Sequence, residues 1–309
     1  MKIDKKYMER ALLLAKNGEG RVSPNPMVGA VIVYDDKIIG EGFHNYFGGP
    51  HAEVNAINSV KEENRHLLKD AVMYVTLEPC SHYGKTPPCA ELLIKKGLQK
   101  VVIATEDPNP LVAGRGIKML RNSGIEVEVG LLKDESQELN KKFFKANSSS
   151  LPYIILKWAR SADGFMSAIN NGALTPVKFS TPLTSVWMHR IRANVDGVMV
   201  GNNTEKIDHP RLDTRLWGGN SPRRIFPDSK IDLKTLMENI RKEGITSIMV
   251  EGGPSLLKSF IDNGLYDEIR VETSPQVIKQ GLREPSIPQD VKLIETNISD
   301  GNIINSYRR

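Results

Sequence analysis

The sequence predicts an α/β protein of two domains, and three observations carry that reading. Short apolar runs alternate with amphipathic stretches along most of the chain, the pattern of sheets covered by helices on both faces. The pattern halts at Asn147-Ser148-Ser149-Ser150 and restarts after Leu151-Pro152. With 309 residues the chain has room for two domains of ordinary size. Domains are therefore expected over 1–147 and 148–309.

The elements follow in chain order. Met8, Ala11, Leu12 and Ala15 recur at helical spacing, and Asn17-Gly18 stops that helix. Residues 28–34 form an apolar strand, Asp35-Asp36 a turn, and 37–43 the hairpin partner. A helix opens near His51 and runs to 60. Strands are expected at 71–76, 101–105 and 125–129, and helices at 89–96, 116–122 and 134–145. Pro79 suits the first turn of a further helix, which would place the Cys80 thiolate among backbone N–H groups. In the second half, strands are expected at 153–158, 197–200, 247–251 and 268–272. Helices are expected at 181–192, near Thr235 and at 254–263.

Composition narrows the function classes. The 42 basic and 37 acidic side chains leave a net charge of +5, which suits an anionic substrate or cofactor. The excess is too small and too dispersed to point to nucleic acid. Membrane partners are not expected, because no apolar run approaches the roughly 18 residues of a spanning helix. Met1-Lys2-Ile3-Asp4-Lys5-Lys6 leads into an amphipathic helix without an apolar signal core, so a cytoplasmic location is expected.

The two cysteines of the chain, Cys80 and Cys89, carry the chemistry. A disulfide is disfavoured in the cytosol. His51-Ala52-Glu53 lies upstream and Glu78-Pro79 directly before the first cysteine. Together these supply one imidazole and two thiolates, with a carboxylate two positions from the imidazole. Catalytic zinc takes three protein ligands and leaves one position open for water, whose pKa falls to about 7. The zinc nucleobase deaminases add a glutamate that binds no metal and shuttles protons, in an H-x-E…P-C pattern. His51, Cys80 and Cys89 are thus the expected ligands of one Zn2+ per chain, and Glu53 the expected proton carrier. His82 is a rival ligand by spacing, but thiolate binds zinc more strongly than imidazole, which makes His82 a residue behind the ligands or facing substrate. The polar, basic loop 81–88 separates the cysteines by more than the C-x-x-C of many deaminases and is expected to wall the substrate.

In the second half, Val250-Glu251-Gly252-Gly253-Pro254-Ser255 reads as strand, glycine turn and helix start. That arrangement lets backbone N–H groups approach a phosphate. It is not the G-x-G-x-x-G dinucleotide fingerprint.

The flanking segments are more specific. Ser23-Pro24-Asn25-Pro26-Met27-Val28-Gly29-Ala30, Thr76-Leu77-Glu78-Pro79-Cys80-Ser81-His82, Lys85-Thr86-Pro87-Pro88-Cys89 and Asp107-Pro108-Asn109-Pro110 resemble the bifunctional riboflavin-biosynthesis deaminase/reductase family. So do Lys157-Trp158-Ala159-Arg160-Ser161-Ala162-Asp163-Gly164 and Asp208-His209-Pro210-Arg211-Leu212-Asp213-Thr214-Arg215. The resemblance implies an N-terminal cytidine-deaminase-like three-layer α/β/α domain and a C-terminal dihydrofolate-reductase-like α/β domain that uses NADPH. It implies deamination of 2,5-diamino-6-(5-phosphoribosylamino)pyrimidin-4(3H)-one, then reduction of the ribosyl group to ribityl. By the same resemblance Asn25, His44, His82, Lys85, Thr86, Asp107 and Asn109 would contact the deaminase substrate. Arg192, Leu212, Arg215 and Glu251 would hold the reductase substrate. Ser161, Ser180, Thr204, Asp208, Gly253, Pro254 and Ser255 would lie on the cofactor. A homo-oligomer is also implied. The family usually carries more residues between Lys230 and Thr235, so the reductase domain is expected to be shortened.

Three rival readings make different demands. A deaminase with a degenerate reductase half serving assembly would show no ribose reduction. A nucleic-acid base editor would need a dense basic or aromatic surface, which 6% aromatic residues do not supply. A non-enzymatic zinc protein would need a fourth ligand.

Overall fold

The computed structural model describes residues 3–83, 87–110, 112–202, 205, 210–228 and 230–309. Lys85, Thr86, Thr204 and Asp208 lie outside the described residues. The chain divides into two compact units, Met1–Ser148 and Ser149–Arg309.

In the first unit the strands are β1 (Gly29–Tyr34), β2 (Lys37–Phe43), β3 (Val72–Val75), β4 (Lys100–Ile103) and β5 (Glu126–Val129). Among the described residues they form one sheet in the order β2-β1-β3-β4-β5. β1 runs antiparallel to β2 and β3, whereas β3, β4 and β5 are parallel. Asp35 and Asp36 both take positive φ, 47° and 55°, as the tight turn of a two-residue hairpin requires.

Side chains alternate across the sheet. Ala30, Ile32, Met73, Val75, Val101 and Ile103 face one core, and Val31, Val33, Val72, Tyr74, Val102 and Ala104 face the other. The first core is covered by α2 (Ala52–Ser59), α3 (Cys89–Lys96) and α4 (Arg115–Asn122). The second is covered by α1 (Lys5–Ala15) and α5 (Lys133–Leu139). The predicted stripe Met8, Ala11, Leu12 and Ala15 is buried, as the spacing requires.

Two expectations are corrected here. The single helix expected over 134–145 is broken between α5 and α6 (Lys141–Ser148). At the break, Asn140 accepts from Met27 N at 2.8 Å and donates to Met27 O at 2.9 Å, like a paired strand residue. This contact spans 113 positions, so local pattern does not reveal it. The polar run expected as a linker is partly helical: Asn147 and Ser148 end α6, their side chains donating to Phe143 O and Phe144 O.

In the second unit the large sheet runs β10-β9-β11-β6-β12-β15-β14. Its members are β6 (Tyr153–Arg160), β9 (Gly197–Met199), β10 (Arg223–Ile225), β11 (Ser247–Val250), β12 (Glu268–Thr273), β14 (Lys292–Ser299) and β15 (Asn302–Arg308). From β10 to β12 the pairing is parallel, and β15 and β14 extend it antiparallel. A smaller antiparallel sheet joins β13 (Gly281–Arg283), β7 (Phe165–Asn170) and β8 (Ala173–Thr175). α7 (Pro182–Ala193), α8 (Leu233–Lys242) and α9 (Pro254–Asp262) supply the helices. β10 precedes the short passage from Lys230 into α8. No helix among the described residues is long and apolar enough to cross a membrane.

Candidate functional sites

α2 carries two of the expected deaminase residues because glycines let it press on β2. A Cβ on Gly42 would lie 2.3 Å from Ala56 N, and one on Gly40 would lie 2.5 Å from Ala56 O. His51 is the N-cap of α2, with extended backbone (φ −70°, ψ 163°), and Glu53 lies in its first turn. Cys89 opens α3 behind Pro88 as N-cap. The helix expected at Pro79 is not formed, and Cys80 lies outside any helix or strand. Cys80 still meets a helix N-terminus, that of α3. Its Sγ accepts from Cys89 N at 3.2 Å, and its carbonyl accepts from Ala90 N at 3.1 Å. The thiolate thus fills a free donor of the first turn.

The three expected ligands converge. His51 Nδ1 lies 3.5 Å from Cys80 Sγ and 3.3 Å from Cys89 Sγ, and all three donor atoms fall within 4.8 Å of one another. Zinc bonds of about 2.05 Å to nitrogen and about 2.3 Å to sulfur at tetrahedral angles give an N···S separation of about 3.5 Å. The donor set therefore fits a zinc ion in type and in spacing. His82 is not in this group.

The hydrogen bonds within the cluster and its burial set how its groups hold protons. The hydrogen bond with Cys89 holds the Cys80 thiol well below the usual thiol range, despite burial. The hydrogen bond with Cys80 raises His51 to about 9. Cys89 is pushed up by its hydrogen bond with Cys80 and by burial. Glu53, 3% exposed, is pushed up to about 7 by burial and then by the charge of Cys80. A carboxyl near 7 can both accept and release a proton at neutral pH.

Asn25 and His44 form a relay beside the cluster. Asn25 Nδ2 lies 3.1 Å from His44 Nε2, and His44 Nδ1 lies 3.0 Å from Pro50 O. The carbonyl can only accept, so His44 carries its proton on Nδ1 and accepts from Asn25 at Nε2. Burial keeps His44 below its usual pKa, and its ring stands edge-on to His51 at 5.5 Å. Asp107 and Asn109 share a turn in which Asp107 Oδ1 accepts from Asn109 N at 2.8 Å.

In the second unit, Arg192 at the end of α7 grips Glu251, which follows β11. Nε–Oε1 and Nη2–Oε2 are both 2.7 Å. Against the effect of burial, the contact raises the pKa of Arg192 and lowers that of Glu251. Arg215 is exposed and pairs with Asp213 at 2.5 Å. Leu212 is buried with φ 53°, a costly conformation for a bulky residue. Ser180 donates to Glu272 Oε2 at 2.7 Å. Ser161 is fully buried, and its hydroxyl accepts from Phe165 N at 2.9 Å, so its side chain serves the turn to β7. Gly253 is the N-cap of α9, Pro254 its first residue and Ser255 exposed beside it. A Cβ on Gly253 would meet nothing within 4 Å, so the backbone is open on that side.

Sequence reasoning assigned no role to a buried set in the same unit. Lys157 Nζ lies 3.6 Å from Glu272 Oε2, and Asn302 Nδ2 donates to Glu272 Oε1 at 2.7 Å. The available signal was charge inside apolar strand runs, at Lys157 in β6 and Glu272 in β12.

Comparison with known proteins decides the family. Residues 1–105 match the model of the cytidine and deoxycytidylate deaminase zinc-binding region. Residues 152–233 and 224–299 match that of the RibD C-terminal domain. The chain is 37% identical to the riboflavin biosynthesis protein RibD of Aquifex aeolicus (strain VF5), over 91% of this chain and 89% of that protein. The chain belongs to the RibD family. The crystal structure of a diaminohydroxyphosphoribosylaminopyrimidine deaminase/5-amino-6-(5-phosphoribosylamino)uracil reductase from Thermotoga maritima is 35% identical, with a TM-score of 0.89 and 98% of each chain covered. A diaminohydroxyphosphoribosylamino-pyrimidine deaminase of Buchnera aphidicola subsp. Schizaphis graminum is 50% identical over 149 residues, 48% of this chain and 99% of that protein. As a RibD-family member the chain is a bifunctional enzyme of riboflavin biosynthesis, with a cytidine-deaminase-like zinc-binding domain and a reductase domain. The degenerate-reductase reading is not favoured, since the matches run through the second half.

Proposed function

We propose that the first unit deaminates 2,5-diamino-6-(5-phosphoribosylamino)pyrimidin-4(3H)-one, and that the second reduces the ribosyl group of the product to ribityl with NADPH. The observation that carries the reading is the meeting of His51 Nδ1, Cys80 Sγ and Cys89 Sγ beside the buried carboxyl of Glu53. One zinc ion per chain, held by those three atoms, supplies Lewis acidity that makes water a nucleophile at neutral pH. Glu53 accepts the proton that water loses and delivers it to the departing ammonia. Asn25, oriented by the neutral His44, presents its carboxamide oxygen to the pyrimidine. Asp107 and Asn109 face the substrate from the opposite loop, with His82, Lys85 and Thr86 on the wall after Cys80.

In the second unit NADPH supplies hydride to the ribosyl carbon. The phosphates of the cofactor lie at the N-terminus of α9, over Gly253, Pro254 and Ser255, with Ser161, Ser180, Thr204 and Asp208 along it. The paired Arg192 and Glu251, with Leu212 and Arg215, hold the phosphorylated substrate, guanidinium matching phosphate with two parallel hydrogen bonds. A cytoplasmic location suits the two free thiols.

Glu53→Gln tests the first half. It keeps the ligands and removes the proton carrier, so bound zinc stays while ammonia release falls about 10²–10⁴-fold. Retained turnover refutes the role of Glu53. For the second half, NADPH oxidation appears only with deaminated substrate, and its absence there refutes the reductase reading.

A further inference from the structure

Glu78 stands two residues before a zinc ligand but takes no part in the ligand cluster. It is 4% exposed, and its two oxygens take four backbone N–H groups. Oε2 accepts from Asp107 N at 3.2 Å and Gly114 N at 2.9 Å. Oε1 accepts from Gly116 N at 2.9 Å and Ile117 N at 3.2 Å. Gly116 and Ile117 belong to the first turn of α4, whose N-cap Gly114 offers no side chain. The carboxylate thus occupies the place that a bound anion takes at a helix N-terminus.

The same residue holds the other end of this segment. Its N–H donates to Thr105 O at 2.9 Å, just past β4. Gly116 is pressed against the next residue, since a Cβ there would lie 2.1 Å from Pro79 O. The segment 105–117 is therefore fastened to 78–79 at both ends, and Asp107 and Asn109 lie between the fastenings. The residue that follows Pro79 is the ligand Cys80.

We propose that Glu78 is a positioning residue for the deaminase: an anion built into the fold that fixes the Asp107–Asn109 turn against the segment bearing Cys80. Substrate-recognising groups then stand at a set distance from the metal. The inference rests on the deaminase reading of the preceding subsection. Its chemistry depends on four acceptances by one carboxylate. A glutamine has one acceptor oxygen, and its NH2 would face two backbone N–H donors, which frees one end of the segment.

Glu78→Gln in the full-length enzyme is the test. KM of the deaminase is expected to rise about 10–100-fold. Its kcat should stay within about 3-fold, because the ligands and Glu53 are untouched. Zinc content and NADPH oxidation on pre-deaminated substrate stay at wild-type values, which verifies folding. In an Asn109→Ala background, Glu78→Gln adds less than about 2-fold to KM, since both act through one turn. An unchanged KM overturns the proposal, and so does an effect that multiplies fully in both backgrounds or one confined to zinc loss. Should Glu78→Gln fail to fold, Glu78→Asp keeps the charge and shortens its reach. Raised KM with zinc retained then supports the role, and unchanged KM overturns it. A wild-type enzyme that releases no ammonia would instead refute the deaminase reading itself.

Discussion

Gly42→Ala would test how far catalysis depends on the seating of α2. The added methyl would lie 2.3 Å from Ala56 N and 2.6 Å from Ala52 O, where ordinary contact begins at 3.4 Å. Both neighbours are helix backbone, so no side chain can swing aside, and α2 must retreat by about 1 Å. Such overpacking costs about 1–3 kcal/mol of stability. The displacement falls on the turn that begins with His51 and Glu53. Ligand distances at a metal tolerate only about 0.2 Å, so His51 would be pulled away from Cys80 and Cys89. Misplacement by about 1 Å lowers turnover by about 100-fold. The assay is ammonia release at saturating zinc, with NADPH oxidation on pre-deaminated substrate as the control for the second unit. A variant that deaminates at the wild-type rate would refute the claim that close packing on β2 sets the ligand geometry.

Other outcomes follow from the same structure. Zinc binding at neutral pH should release about two protons, one from His51, which is raised to about 9, and one from Cys89, which is pushed up. Since protons and metal compete, affinity falls as pH falls, and release drops towards one proton above about 9. Calorimetry in buffers of different ionisation enthalpy reads this, and metal binding without proton release refutes it. Arg192→Ala would strand a largely covered carboxylate at Glu251, destabilising the second unit by about 3–5 kcal/mol in thermal or denaturant unfolding. A loss under about 1 kcal/mol would show that Glu251 finds another partner. Arg192→Lys keeps the charge but loses the two-pronged grip. It should raise the reductase KM while the fold survives, and unchanged kinetics refute a substrate role. Chelation should abolish ammonia release and spare NADPH oxidation, and parallel loss of both would contradict separate sites.

What the sequence discloses of this structure is mostly local. The hairpin of β1 and β2 was legible because Asp35-Asp36 divides two apolar runs. The ligand cluster was legible because each residue lies in a short pattern that its chemistry demands. Pro79 misled because a proline that fits the first helical turn fits non-helical chain equally well. Pro88, directly before Cys89, is the one that caps a helix. β14 escaped notice because this edge strand is almost wholly exposed and shows no alternation of polar and apolar residues. The break at Asn140 and the fastening by Glu78 depend on partners 113 and up to 39 positions away, respectively. Local periodicity carries no record of either.

Glu78 and Glu251 show one physical problem solved in two ways. Each is a carboxylate shortly after a central strand, β3 in one unit and β11 in the other, with Glu78 buried and Glu251 largely covered. An unpaired charge in such a place is costly. Glu78 is stabilised by four N–H dipoles of a single loop and helix turn. Glu251 is stabilised by the guanidinium of Arg192, which outweighs burial and holds the carboxyl below its usual range. The difference has consequences for what each residue can do. Dipoles fixed in backbone cannot leave, so Glu78 locks a segment in place and offers nothing to a ligand. A guanidinium has five donors and gives two to Glu251 in this contact. On the proposed reading, its remaining donors meet the substrate phosphate while Glu251 keeps the guanidinium aimed. A fixed frame suits deamination, where the reacting ring must stand beside an immobile metal. An aimed cation suits the reductase, where the ribose carbon has to be presented to a separate cofactor.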